Sequence, residues 1–311
     1  MQNLFHHIAL ASPLFVLVLI GYALVRWGKW PATLAETLTR FVFVLALPAL
    51  LFRMMSGFSQ LPPVDERLLI AFFGGCFAVF LLGRLIARHL FGLDGVAGSI
   101  FSLGGVFSNN VLLGLPLAKV TLGEAALPSV ALVLVFNSLI LWTLVTVSVE
   151  WARHGSFSLQ GFAKTARSVI TNPIVAAILG GTLYGLSGLP LPQMIDAPLA
   201  MIATAAAPMA LLALGMGLAT YPVRQDWHLS VSICVMKLIV QPLAVWLIAR
   251  ALGLPTMETQ VVVLLASIAV GANVYLMARQ FNALEGPVAA SLVLSTALAA
   301  LTTPLALTLT A

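Results

Sequence analysis

Charge is what this sequence has least of: 15 Lys and Arg and 10 Asp and Glu among 311 residues, 8% in all. A water-facing fold carries roughly 25% charged residues, so this chain cannot cover a soluble surface. No charged residue occurs from Leu10 to Leu24 or from Leu127 to Val149. Acidic residues are missing from the middle of every apolar run, since Glu36, Glu150 and Glu258 lie near run ends. That argues against a carboxylate proton relay and against a pump for cations. Cysteine is down to two, Cys76 and Cys234, both inside apolar runs, where a thiol serves as a small packing residue. His6, His7, His89, His154 and His228 all fall at run ends, and no H-E-x-x-H or G-x-S-x-G motif is present. With no nucleophile–base pair at membrane depth, no enzymatic activity, cofactor or metal is expected. The pI is near 9.6, yet the cations form no patch interleaved with aromatics, so nucleic acid is not an expected partner.

What is there is hydrophobic sequence, 61% of residues with a mean hydropathy of +1.07. It falls into ten runs, at about 8–26, 35–54, 68–88, 97–119, 126–150, 169–187, 197–219, 229–250, 259–280 and 287–308. Each is near the ~20 residues that a helix needs to cross a ~30 Å hydrocarbon core. The runs are continuous rather than alternating, which disfavours strands. The expected fold class is an all-α membrane protein of ten transmembrane helices. The longest connection, 151–168, is too short for a soluble domain. The stretch Met1 to His7 lacks Lys and Arg, so the first run reads as a retained span rather than a cleaved leader.

With ten spans, the loops alternate sides. Arg26, Lys29, Arg40, Arg84, Arg88, Arg153, Lys164, Arg167, Arg224 and Arg279 fall on one side, against Arg53, Arg67, Lys119 and Arg250 on the other. The positive-inside bias makes the first side cytoplasmic and points both termini outward. Trp27, Trp30, Trp151 and Trp227 then sit where an interfacial aromatic belt belongs.

The two halves echo one another. Pro13 and Pro173, Gly21 and Gly181, and Pro48 and Pro208 are each 160 apart, and Cys76 and Cys234 are 158 apart. The polar interruptions at Asn109-Asn110 and at Asn273 differ by 164 and 163. The expected organisation is a first five-helix repeat over 1–150, a cytoplasmic linker over 151–168 and a second repeat over 169–311. Five is odd, so the halves enter the membrane from opposite sides, an arrangement recurrent in alternating-access transporters.

Two runs carry helix breakers at equivalent places. The fourth holds Gly104, Gly105, Ser108, Asn109, Asn110, Gly114 and Pro116 in its middle part; the ninth holds Gly271 and Asn273 in a milder version. Irregular backbone at depth is tolerated only where protein buries it or it lines a cavity. A broken helix presents free N–H groups and about half a positive charge at the start of its second half. Two such breaks meeting would bind an anion, with Asn109, Asn110 and Asn273 as amide donors and Gly271 and Pro116 shaping the breaks. Tyr275 is a candidate lining residue. Lys237 is the one charge deep in a run, at an insertion cost of about 2.5–3.5 kcal/mol. Its partner is either a carboxylate substrate or backbone carbonyls at a break. Asn137 and Gln241 serve either as helix–helix hydrogen bonds or as substrate contacts.

The motif Asn109-x4-Gly114-x-Pro116-Leu117 resembles the first crossover signature of the auxin efflux carrier family. Leu47-Pro48-Ala49-Leu50-Leu51-Phe52 is similar to that family's early proline motif, Lys237-x4-Pro242 to its eighth-span pattern, and the segment from Asn273 to Phe281 to its second crossover. The resemblance covers the whole chain. It implies ten spans in two inverted repeats, with spans 4 and 9 crossing at the substrate site, a scaffold of spans 1, 2, 6 and 7, and a homodimer. Bacterial members are named malonate or malate permeases, and plant members move auxin and often carry a long central loop. The short loop here fits the compact bacterial type, in the inner membrane. The ninth span has Ala269-Val270-Gly271-Ala272 where plant carriers have a crossover proline, so auxin itself is not the expected substrate.

The expected function is secondary active transport of a small mono- or dicarboxylate of the malonate type, with the coupling ion, H+ or Na+, left open. Its rival is a sodium-coupled carrier of larger amphipathic anions such as bile acids; auxin-like efflux and a passive channel are further alternatives.

Overall fold

The computed structural model describes residues 2–57, 64–154, 171–221 and 226–310. Among these the chain is helical throughout, with no strand beyond one isolated bridge. Its helices are α1 (Gln2–Arg26), α2 (Ala32–Phe41), α3 (Leu47–Ser56), α4 (Arg67–His89), α5 (Gly95–Gly104), α6 (Leu115–Leu122) and α7 (Leu127–His154). After residues 155–170, outside the description, come α8 (Pro173–Leu186), α9 (Gln193–Leu218), α10 (Trp227–Val235), α11 (Gln241–Ala251), α12 (Thr256–Ser267), α13 (Ala272–Phe281) and α14 (Glu285–Thr310).

Among the described residues, seven stretches are long and apolar enough to cross a bilayer: Ile8–Arg26, Thr33–Ser56, Arg67–His89, Glu124–Arg153, Gln193–Leu218, Trp227–Ala251 and Glu285–Thr310. The remaining three runs fall on shorter helices. The sixth coincides with α8, whose start is set by Asn172, with Oδ1 accepting from Ile174 N at 2.9 Å, and by Pro173 in the first turn. The fourth and ninth are interrupted, as described below. Helix α7 continues to His154, into the linker expected over 151–168; the rest of that linker, with Lys164 and Arg167, lies outside the described residues, as does Arg224.

Among the described residues, three π-helical turns repeat one local solution. They span Val42–Ala46, Asn110–Gly114 and Met236–Val240, and each ends two residues before a proline, Pro48, Pro116 or Pro242. Proline lacks an N–H and its ring crowds the carbonyl four residues back. Widening the preceding turn by one residue relieves that crowding, and the next N–H bonds five residues back: Leu47 to Val42, Leu115 to Asn110, Gln241 to Met236. Two of these turns sit inside otherwise continuous long helices.

The polarity of the body is inverted relative to a soluble protein. Large apolar side chains such as Leu19, Leu81, Leu183, Leu301 and Leu309 are exposed, whereas Asn109, Asn110, Lys237 and Gln241 are buried. Continuous exposed apolar surface of this kind marks contact with lipid. Trp27, Trp30, Trp151 and Trp227 are exposed at or just beyond helix ends.

Helix α1 packs along α9, and α3 along α8. Both contacts bring backbone onto backbone. A Cβ on Gly21 would collide with the Leu212 carbonyl oxygen, and one on Gly181 would come within 2.6 Å of the Phe52 carbonyl oxygen. Gly21 and Gly181 are 160 apart in number, and so are Phe52 and Leu212. The side-chain pair Arg53–Asp196, at 2.6 Å, ties α3 to the first turn of α9.

Candidate functional site

The two interrupted helices meet at their interruptions. Helix α5 begins on an Asp94 cap, whose carboxylate accepts from Ala97 N at 2.8 Å, and stops at Gly104; the π turn that leads into α6 resumes at Asn110. Helix α12 stops at Ser267 and α13 starts at Ala272. Between these ends, Ser108 and Val270 form an antiparallel bridge. Asn109 N donates to Ala269 O at 2.9 Å, and Gly271 N donates to Phe107 O at 2.7 Å. The two bonds exchange partners at an offset of 162, since 107 pairs with 271 as 269 pairs with 109. A buried backbone group left unpaired is costly, and here each break supplies part of the other's missing hydrogen bonding.

Neighbouring helices supply the rest. Val270 N donates to Ser295 Oγ on α14 at 3.0 Å, and Thr303 Oγ1 on the same helix donates to Ser267 O at 3.0 Å. Gln241, at the start of α11, donates from Nε2 to Val106 O at 2.8 Å. Lys237, one turn earlier in the π turn before α11, is fully buried and donates to Ala266 O. A single helical rod, α10 through α11, thus reaches the first break with Gln241 and the second with Lys237.

The ninth run was expected to be the milder interruption, yet both are fully open. Gly271 explains how the chains come so close: a Cβ there would lie 2.8 Å from Phe107 Cδ1 and 3.0 Å from Ser108 O. Pro116 was grouped with the breakers of the fourth run, but it lies beyond the break, buried in the first turn of α6. Its steric demand is absorbed by the π turn Asn110–Gly114 rather than by chain interruption.

Asn109, Asn110 and Gly271 therefore converge at the crossing. Asn110 Nδ2 donates to Asn137 Oδ1 on α7 at 3.4 Å, so Asn137 makes a helix–helix bond. Asn273 is half-buried in the first turn of α13. Tyr275 is half-buried with its ring edge-on to Tyr221, centroids 4.8 Å apart. Burial pushes the Tyr221 phenol up, which keeps it a neutral hydroxyl. Among the described residues, the ion pairs are Arg53–Asp196, Arg67–Asp65 and Lys119–Glu124, so Lys237 bonds a carbonyl rather than a carboxylate.

Ser108 Oγ, Asn109 Nδ2, Asn110 Oδ1 and Gln241 Oε1 are buried without a hydrogen-bond partner. Three of these four belong to consecutive residues at the crossing. Such orphans in a folded protein call for a ligand or water. Ser108 had been named only as part of the first break and Gln241 as a helix–helix bond or substrate contact; Ser295 and Thr303 are additions to the sequence-derived set. The last two carried no signal in residue type: with Ser291 they are buried at spacings of multiples of four along α14, but Thr302 and Thr308 on the same helix are not buried.

Lipid-facing apolar helices around a polar, doubly interrupted centre define an integral membrane transporter. Residues 7–307 match the model of the family described as "Membrane transport protein". The chain belongs to this family, that of the auxin efflux carriers. It is similar to a "Putative malonate transporter" of Rhizobium meliloti (strain 1021), with 28% identity over 305 residues, 94% of this chain and 92% of the relative. It is also similar to an "Uncharacterized transporter MJ1031" of Methanocaldococcus jannaschii, with 25% identity over 260 residues, 81% of this chain and 82% of the relative.

Proposed function

We propose that the protein is a secondary active carrier of a small carboxylate, malonate being the single best candidate, and that the substrate binds at the crossing of the two interrupted helices. The observation that carries this reading is the pair of orphaned donors Ser108 Oγ and Asn109 Nδ2, buried beside the Ser108–Val270 bridge; Asn110, whose amide already donates to Asn137, leaves only an acceptor oxygen free. A carboxylate accepts from the Asn109 amide and the Ser108 hydroxyl, and the first turn of α13, with Asn273, adds the positive end of a helix dipole. Lys237 is held by Ala266 O and adds positive potential from behind rather than a direct ion pair. The relative named for malonate supports the choice of substrate.

The reading includes ten crossings in two inverted halves. Its supports are the contacts that repeat at offsets of 160 and 162, Gly21–Leu212 with Gly181–Phe52 and the two exchanged bonds of the bridge. Alternating access follows when the halves trade conformations. The reading also sets the protein in a bacterial inner membrane with both termini outside, and the cation asymmetry supports that orientation.

The test is uptake of labelled malonate into proteoliposomes by wild type and Asn109→Ala at matched protein incorporation. Asn109→Ala is expected to lower uptake about 10-fold or more, since one charge-assisted hydrogen bond contributes ~1.5–3 kcal/mol. Unchanged uptake would remove Asn109 from the site.

A further inference from the structure

Away from the crossing, α4 and α7 both pack on α5, and a groove of about 370 Å³ remains between them. Each helix lines it with the same spacing: Phe77, Leu81 and Arg84 on α4, and Leu144, Ser148 and Trp151 on α7. Steps of four and three keep side chains on one helical face, so each set runs along two turns, about 10 Å. Phe77, Leu81 and Trp151 are exposed, so the groove opens outward onto lipid.

The polar groups gather at one end. Arg84 Nη1 donates to Gly95 O and, at 3.0 Å, to Ser99 Oγ on α5, and Ser99 Oγ lies in hydrogen-bond contact with Ser148 Oγ at 2.8 Å. That chain of contacts holds Arg84 level with Ser148, which leaves Phe77 and Leu144 together at the other end. Gly95 brings the helices this close, since a Cβ there would stand 2.6 Å from Ala152 Cβ. A guanidinium has five N–H donors. Among the described residues, this one donates through Nη1 alone and has no carboxylate partner. Asp94, close by, is engaged as the cap of α5. The neighbouring helix ends carry Arg84, Arg88 and Arg153 against Asp94 and Glu150, so the local balance is positive.

We propose that this groove is a binding site for an anionic phospholipid, with one acyl chain laid along Phe77, Leu81 and Leu144 and the phosphate on the free donors of Arg84 beside Trp151. An apolar trough with a cation at one end matches an amphiphile of opposite charge, and a guanidinium with spare donors matches a phosphate in particular. Basic pockets between membrane helices on the cytoplasmic side take anionic headgroups, and tryptophan belongs at headgroup level. Under the proposed orientation this is the cytoplasmic end of α4 and α7. None of these residues belongs to the crossing, and the site does not depend on which substrate is carried.

The test is native mass spectrometry of the purified full chain with phosphatidylglycerol and phosphatidylcholine of identical acyl chains added in equal amounts. Wild type is expected to retain phosphatidylglycerol about tenfold more than phosphatidylcholine, the scale of one charge-assisted hydrogen bond. Arg84→Gln should retain the two equally, and Arg84→Lys should keep a reduced preference. Leu81→Trp fills the trough from a lipid-exposed position outside the contacts of Arg84, so it decides the matter even where Arg84→Gln does not fold. It should lose both the preference and the retained lipid. In thermal melting, phosphatidylglycerol should raise the Tm of wild type by several degrees and leave that of Leu81→Trp unmoved. Equal retention of the two lipids by wild type overturns the proposal. A preference that survives in Leu81→Trp overturns it too, because the lipid then sits elsewhere on the basic surface. The same holds if glycerol phosphate alone raises the wild-type Tm as far as the phospholipid does, which would make this a site for a soluble anion.

Discussion

The two interruptions reach the same geometry by different routes. The first is written into its own segment: Gly104 and Gly105 end α5, and Ser108, Asn109 and Asn110 prefer turns and caps to helix interiors. The second has Gly271 as its breaker, with β-branched Ile268 and Val270 beside it, and Asn273 lies beyond the break in the first turn of α13. It is held open by side chains from elsewhere, Lys237 from the turn before α11 and Ser295 and Thr303 from α14. A break can therefore be encoded locally or imposed by tertiary partners, and the imposed kind is nearly silent in its own sequence.

The contrast can be broken most strongly at Gly271. Gly271→Val would press a branched side chain on Phe107 and Ser108 O at the point of crossing. Overpacking of this kind costs about 1–3 kcal/mol, and because it parts the two chains, malonate uptake should fall to background while the detergent-solubilised protein melts several degrees lower. Next is Ser295→Ala, which leaves Val270 N–H buried without its acceptor at a cost of about 1–3 kcal/mol. Thermal melting and amide hydrogen exchange at Val270 are the readouts, and unchanged exchange would mean that the second break is self-supporting after all. The smallest effect is expected for Gly105→Ala in the first break. The added methyl meets Met236 Cε, at 2.7 Å, the far end of a pliable side chain, and Met236 Cβ, at 3.1 Å, which must give by a few tenths of an ångström. Backbone geometry at Gly105 is already right-handed helical, so a change below about 1 kcal/mol is expected. If Gly105→Ala proved worse than Ser295→Ala, the assignment of local and imposed breaks would be reversed.

The same distinction governs what could be read in advance. The seven long helices follow from uninterrupted apolar runs and need no tertiary information. The first break was legible because Gly, Asn and Pro are strong local signals, although Pro116 was credited with interrupting a helix that it only widens. The fourth and ninth runs were expected to meet, and the Ser108–Val270 bridge joins them. Lys237 stood out as a charge in an apolar run, but a lone sequence cannot say which carbonyl lies 29 residues further on in space. Ser295 and Thr303 were passed over because hydroxyls in apolar helices usually bond back to their own preceding turn, as Thr296 does to Leu292 O. Nothing in residue type separates Thr303, which reaches across to Ser267 O, from its neighbours that do not.

The glycine contacts between α1 and α9 and between α3 and α8 have a mechanical meaning. Where main chain lies against main chain, there is no layer of side chains to slide or re-pack, and a small axial shift would drive carbonyl oxygens into α-carbons. The helices so joined form a stiff plate, cross-braced by Arg53 and Asp196. Under the proposed function, this plate shifts as one body rather than deforming within itself.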